Sequence, residues 1–209
     1  MLMNNMAIYI DMSKCTACRS CQVACKSWNQ LKAEQTKNTG SHENPPDLSA
    51  NTWNRIRWIE QLKNGKISWT FFSDRCRHCD PPDCKYIADT FVEGAVIKDS
   101  SGAVLFTEKI KGIAPDEILS ACPYNIPRFD EATRMFYKCN LCSDRIPYGL
   151  PPACVKACST GALNFGEKVK MLQLAKDRVK QLANNAVLYP GEAYNTFWVL
   201  PDKGLLESI

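Results

Sequence analysis

The sequence is poor in histidine: His42 and His78 are the only two in 209 residues, so no site that needs several imidazoles can be built from it. It also lacks a long apolar run. No stretch of 18 residues is free of charged side chains, whereas a transmembrane helix needs about 20 mostly apolar residues, so no membrane span is expected. Nor is a secretory leader expected, because Met1 to Ile10 has no Lys or Arg ahead of its apolar residues and no small-residue cleavage site. No G-x-G-x-x-G follows a strand pattern and no nucleophile-base pair stands out, which argues against dinucleotide binding and hydrolysis. A strong charge of one sign is missing too. The 26 basic and 22 acidic side chains leave +4, too mild and too mixed to favour nucleic acid.

What is abundant is cysteine. There are twelve, in a chain whose 45% hydrophobic and 23% charged composition is that of a folded protein. Cys15, Cys18, Cys21 and Cys25 form a C-x2-C-x2-C-x3-C run, and Cys76, Cys79 and Cys84 are spaced C-x2-C-x4-C. Cys122 stands alone before Pro123, and Cys139, Cys142, Cys154 and Cys158 form C-x2-C-x11-C-x3-C. A disulfide scaffold is normally short, secreted and built from dispersed pairs. Zinc takes two knuckles around a tetrahedron, which four cysteines within eleven residues do not fit, so a zinc-ribbon nucleic-acid module is disfavoured. The first run has the spacing of bacterial ferredoxins, in which three thiolates wrap one cluster and the fourth ligates another.

That rule can be applied to the whole chain. Cys15, Cys18, Cys21 and Cys158 close one shell, and Cys139, Cys142, Cys154 and Cys25 close a second. Cys76, Cys79, Cys84 and Cys122 close a third, with nothing left over, so three [4Fe-4S] clusters are expected. A complete inner pair would need further cysteines where Ala88, Gly112, Pro115 and Ile118 stand. Those four losses together delete one cluster, and the chain reads as a four-cluster plan reduced to three.

The expected fold is α+β: two nested ferredoxin-like bicluster units, one degenerate, with a loop and hairpin insertion and a C-terminal helix. Residues 1–30 with 132–166 form the outer unit, 31–72 the insertion, 73–131 the inner unit, and 167–209 the C-terminal helix and strand. Ala7 to Ile10 reads as a strand, Arg19 to Trp28 as a helix and Pro115 to Ala121 as a helix with Pro in its first turn. Trp53 to Leu62 and Lys66 to Phe72 flank Asn64-Gly65, a hairpin signal. Ala95 to Lys98 and Ala103 to Phe106 flank a second turn. Glu167 to Ala183 carries Val169, Leu172, Leu174, Ala175, Val179 and Leu182 at helical spacing, and Tyr194 to Leu200 reads as a last strand. Short elements bury little apolar surface, so the clusters should contribute directly to folding.

Basic side chains crowd the cysteine loops: Lys14, Arg19 and Lys26; Arg75, Arg77 and Lys85; Lys138, Arg145 and Lys156. A thiolate-ligated cluster is anionic, so nearby cations favour its reduced form. Lys156, between two cysteines, is the expected tuning residue. His78 is expected to hydrogen-bond or lie at the surface, since the shells close without it. Trp28, Trp53, Trp58, Trp69, Tyr124 and Tyr137 are read mainly as packing.

Several segments carry a family resemblance. Residues 38–49, NTGSHENPPDLS, look like the loop after the first cysteine run in iron-sulfur (beta) subunits of formate dehydrogenases, which are molybdenum- or tungsten-pterin enzymes. Similar too are Cys76-Arg77-His78-Cys79, Ala121-Cys122-Pro123-Tyr124-Asn125-Ile126-Pro127-Arg128 and Pro152-Ala153-Cys154-Val155-Lys156-Ala157-Cys158. Ser159 departs from the proline often found after the last cysteine. Three clusters and no transmembrane helix resemble the soluble two-subunit members. The resemblance implies a non-catalytic electron-transfer subunit that conducts single electrons from a large catalytic subunit to an external acceptor such as a cytochrome. The Mo- or W-bis-pterin belongs to that large partner. The resemblance also implies a periplasmic location by co-export with the large subunit, with the cytoplasm as the alternative. Polysulfide, dimethyl sulfoxide and nitrite reductases and hydrogenases use related subunits, and the cysteine spacing does not separate them.

Overall fold

The computed structural model describes residues 4–63, 65–182 and 185–209. In chain order it contains β1 (Met6–Asp11), α1 (Ser20–Trp28), β2 (Arg55–Lys63), β3 (Lys66–Asp74), α2 (Asp83–Phe91), β4 (Val96–Lys98), β5 (Val104–Phe106) and α3 (Pro115–Ser120). There follow β6 (Arg128–Asp130), β7 (Met135–Tyr137), α4 (Ala153–Lys156), β8 (Leu163–Glu167), α5 (Lys168–Leu182), β9 (Val187–Tyr189) and β10 (Thr196–Leu200).

The two ends of the chain are joined in one sheet of order β8-β1-β10-β9, with β1 and β10 parallel and the other pairs antiparallel. Every residue of β1 is buried because both faces of the sheet are covered. Met6, Ile8 and Ile10 join Trp198 and Leu200 in the main core, while Ala7 and Tyr9 join Phe197 and Val199 beneath α5. A strand covered on both sides reads as an unbroken apolar run, as this one does. α5 meets the sheet through Met171 and Ala175, one helical turn apart, with Val179 one turn further on. Val169 and Leu174, included in the expected stripe, point outward instead. Ala183, the expected end of that helix, lies outside the described residues. Arg178 Nε donates to the fully buried Asp11 Oδ2 at 2.8 Å and pins the helix to the end of β1.

The β2–β3 hairpin pairs from Arg55↔Asp74 to Lys63↔Lys66; Asn64, in its expected turn, lies outside the described residues. Its base is sunk in the main core through Ile56, Ile59 and Phe72, and its far half exposes Leu62, Ile67 and Trp69. Residues 31–50 contain no regular element, yet carboxylates hold the loop in place. Glu34 Oε1 accepts from Ser49 at 2.5 Å, Glu43 Oε2 from Arg55 at 2.8 Å and Asp47 Oδ2 from Arg128 at 2.9 Å.

The inner unit has a separate apolar core of Ala88, Ala95, Val96, Val104, Ile110, Ile113, Ile118 and Phe136. Sequence periodicity missed the β6–β7 hairpin, β8 and β9, because three- to five-residue strands carry too few positions to show a period; it also missed the nine-residue α2, whose one fully buried position is Ala88. The inner hairpin β4–β5 meets the terminal sheet at Gly102. Gly102 has φ +96°, and a Cβ there would lie 2.3 Å from Asn195 Nδ2 and 2.8 Å from the Met6 carbonyl. A left-handed backbone and a steric overlap act together, so Gly102→Ala is expected to destabilise the protein by about 2–4 kcal/mol, measured as a lowered midpoint in denaturant.

Candidate iron-sulfur centres

The cysteine loops turn back on themselves through backbone conformations that side chains rarely adopt. Ala17 (φ 54°) and Arg19 (60°) lie in the first run, His78 (49°) lies between Cys76 and Cys79, and Asn125 (49°) follows Cys122. Leu141 (59°) and Cys142 (51°) lie in the fourth. Left-handed residues in a tight loop turn successive amides toward one concave side, a geometry that receives anions. Amide groups do reach sulfur here. The His78 N–H donates to Cys76 Sγ at 3.4 Å, the Leu163 N–H to Cys158 Sγ at 3.4 Å, and Asn29 Nδ2 to Cys25 Sγ at 3.7 Å.

The thiols are electrostatic neighbours in three sets. Cys15 faces Cys18, Cys21 and Cys158; Cys25 faces Cys139, Cys142 and Cys154; Cys79 faces Cys76, Cys84 and Cys122. The first two sets share residues from the start and end of the ligand region because α1 packs on α4. Cys76, Cys79, Cys84 and Cys122 line one pocket together with Pro82, Ile126 and Lys138. Among the described residues no three of the His, Cys, Asp and Glu side chains converge on the position of a single ion. A cubane distributes its four thiolates over four iron atoms, so its ligands surround a centre without converging on one metal. Four soft sulfur donors in a buried setting, with amide N–H groups on the sulfur, match what an iron-sulfur cluster requires.

Burial dominates the acid-base state of these thiols. It pushes Cys15 and Cys139 up to about 11, and Cys79, Cys84 and Cys142 up to about 12. Cys18 is exposed and shifts the other way, because the Ser20 hydroxyl hydrogen-bonds its sulfur. The set of Cys25, Cys139, Cys142 and Cys154 is buried throughout.

The cations differ sharply in their placement. Lys156, the expected tuning residue, is exposed: it points outward from a four-residue helix whose inner side carries Cys154. Arg75 instead is 1% exposed and donates Nη1–H to Cys154 Sγ at 3.0 Å. Lys138 is buried, donates to the Val104 carbonyl, and sits 4.8 Å from the Phe106 ring centroid. Arg77 pairs with Asp74 at 2.8 Å and lies against the rings of Phe72, Tyr124 and Trp198. Arg145 stacks over Trp28. Sequence proximity to cysteine does not reveal which of these cations faces inward, and burial does.

His78 is fully buried. Its Nδ1 accepts from the Val104 N–H at 3.0 Å, so the neutral ring carries its proton on Nε2; burial, then Lys138, Lys98 and Arg75, holds its pKa well below the usual value. Its carbonyl accepts from Asn195 N–H, and Thr196 N–H donates to the Arg77 carbonyl. Lys98 Nζ gathers the carbonyls of His78, Cys79 and Gly102 within 3.1 Å. The Cys76–Cys79 loop is thereby strapped to the terminal sheet.

The positions without cysteine are filled. Ala88 on α2 and Ile118 on α3 are both fully buried in the inner apolar core. Pro115 opens α3, and Gly112 ends a short 3-10 turn before it.

Residues 67–168 match the model of a 4Fe-4S dicluster domain. The beta subunit of formate dehydrogenase 2 (cytochrome c-553) of Nitratidesulfovibrio vulgaris is 48% identical over 189 residues, spanning 88% of this chain and 85% of the relative. The beta subunit of a formate dehydrogenase from Megalodesulfovibrio gigas is 47% identical, spanning 83% of this chain and 82% of the relative. The iron-sulfur subunit of the nitrate-inducible formate dehydrogenase of Escherichia coli is 41% identical over 89% of this chain but only 62% of its own length. Cysteine runs, sulfur-facing amides and these relationships agree: the chain is an iron-sulfur protein and belongs to the electron-transfer (beta) subunits of formate dehydrogenases.

Proposed function

We propose that the chain holds three [4Fe-4S] clusters and conducts single electrons from a large metal-pterin subunit, where formate is oxidised, to an external acceptor. The observation that carries this reading is that Cys15, Cys25 and Cys79 each have as thiol neighbours the other three members of one set of four, which together account for all twelve. Cys15, Cys18, Cys21 and Cys158 would hold the first cluster, Cys25, Cys139, Cys142 and Cys154 the second, and Cys76, Cys79, Cys84 and Cys122 the third. Clusters at these positions supply one-electron exchange. The remaining work falls to the chain: it excludes water, offers amide N–H groups to sulfur and places buried cations.

Adjacency supports a linear order. Cys21 neighbours Cys154, and Cys139 neighbours Cys76, so the fully buried set lies between the other two. Both outer sets contain less buried thiols, including exposed Cys18, which suits ends that exchange electrons with other molecules. The cytochrome in the name of the Nitratidesulfovibrio relative supports a cytochrome as acceptor. Among the described residues no helix is long and apolar enough to cross a membrane. A heterodimer with the pterin subunit, exported to the periplasm already folded, is the assembly this reading favours.

Three measurements test it. The purified chain should contain about twelve iron and twelve acid-labile sulfide, four of each per cluster; a yield near sixteen, or zinc without sulfide, overturns the count. Cys122→Ser should remove or convert one cluster while the other two keep their spectra; losing the other two instead would refute the ligand sets. Because burial raises the pKa of Cys15, Cys79, Cys84, Cys139 and Cys142, loading must displace their protons. Reconstitution in weakly buffered medium should therefore release acid, and loading at limiting iron should rise from pH 7 to pH 9. A pH-independent yield would contradict the buried-thiol picture.

A further inference from the structure

Three arginines are buried: Arg75, Arg77 and Arg145. Arg77 has a carboxylate within ion-pair distance and Arg145 lies over Trp28 and donates to the Pro151 carbonyl; Arg75 has no carboxylate partner among the described residues and is the one that hydrogen-bonds to sulfur. The groups that raise its pKa are Cys154, Cys21 and Cys139. Its Nη1 donates to Cys154 Sγ at 3.0 Å and its Nη2 to Asn54 Oδ1 at 2.7 Å and to Ser73 Oγ. Asn54 and Ser73 are each 1% exposed. The Asn54 Nδ2 has no partner within hydrogen-bond distance. A buried polar chain therefore runs from Cys154 through Arg75 to Asn54 and Ser73, whose Oγ also donates to Asn54 Oδ1 at 2.9 Å.

A permanently charged guanidinium out of water is tolerated only beside compensating negative charge. Here that charge is supplied by sulfur, so the site is built for anionic thiolates. The set containing Cys154 is also the one with every cysteine buried. Burial disfavours the extra negative charge of a reduced cluster, whereas a hydrogen bond to ligand sulfur and a nearby cation favour it.

We propose that Arg75, hydrogen-bonded to Cys154 and held in place by Asn54 and Ser73, raises the reduction potential of the buried centre of Cys25, Cys139, Cys142 and Cys154, so that this middle position is not an uphill step for electrons. The proposal rests on the ligand sets given above. Reduction adds one electron from the neighbouring centre and makes or breaks no bond. Arg75 is a positioning and tuning residue, since it touches a ligand and not the substrate.

The test is an electron-spin-resonance redox titration of the iron-loaded full chain. In Arg75→Gln, the reduced-to-oxidised ratio of one centre at fixed potential should fall at least tenfold, about 59 mV for one electron, with iron content unchanged. Arg75→Lys, which keeps the charge, should recover most of that shift, and the centre of Cys76, Cys79, Cys84 and Cys122 should move least. Full iron content with unmoved potentials, or a Lys variant as shifted as the Gln variant, overturns the proposal. Should Arg75→Gln not retain iron, Asn54→Asp carries the test. It leaves the Arg75–Cys154 bond in place and sets a carboxylate against the guanidinium, so the same centre must shift in the same direction, and an unmoved potential overturns the proposal. An iron content that is not about twelve in the unaltered chain would instead point to failure of the three-cluster reading.

Discussion

Negative sulfur cannot be moved out of water without compensation, and this chain gathers eleven of its twelve thiols in buried or half-buried surroundings. Desolvation disfavours the thiolate, as the upward shifts of Cys139 and Cys142 show. The rest of the structure answers that cost. Loops with left-handed residues present amides, Asn29 presents a side-chain amide, and Arg75 supplies a buried charge. Each device is weak at the surface and strong in a dry interior, where the same low dielectric that penalises a bare thiolate amplifies its attraction to a cation.

The loops that carry these groups are too irregular to hold their own shape. The terminal sheet supplies the rigidity. β1 and β10 pair in parallel across almost the entire chain length, which encloses the ligand region between two ends that are fixed to each other. Lys98, Asn195 and Thr196 then fasten the Cys76–Cys79 backbone to that sheet. The sheet, with Trp198 and Phe72 stacked 5.1 Å apart in its core, supplies more apolar burial than the short elements suggest from sequence. Folding thus has two supports, an apolar sheet and the metal-binding loops, coupled through hydrogen bonds to a few carbonyls.

What could be read from the sequence follows from how each feature is encoded. The long hairpin, α1, α3 and α5 are visible because turns, proline positions and helical periods are local. The pairing of β1 with β10 is not, since nothing in either segment names its partner. Cysteine spacing is legible because a cluster imposes fixed loop lengths. The function of a cation is not, because Lys156 and Arg75 both lie within two residues of a cysteine and differ only in direction: one leaves a short helix toward water, while the other follows β3, whose Ser73 and Asp74 are buried, and is drawn inward. Asn54 carries no sequence signal at all. It becomes interesting only when Arg75 and Ser73 are found donating to its side-chain oxygen.

The inner unit shows what takes the place of thiols where its plan has no cysteine. Losing one thiolate from a four-thiolate shell would leave the others buried and without metal, each costing free energy as an unsatisfied polar group. An apolar residue at a buried position instead adds to the core, and core of that kind stabilises by roughly 25 cal/mol for each Å² of apolar surface removed from water. Ala88 and Ile118 are of this kind, both fully buried among Val96, Val104, Ile110 and Phe136, whereas Pro115 is half-buried and Gly112 exposed. The same argument favours all or none at a buried site: a partial set of thiols carries the desolvation cost of each sulfur without a shared ligand to offset it, whereas hydrocarbon at the same positions carries no such cost.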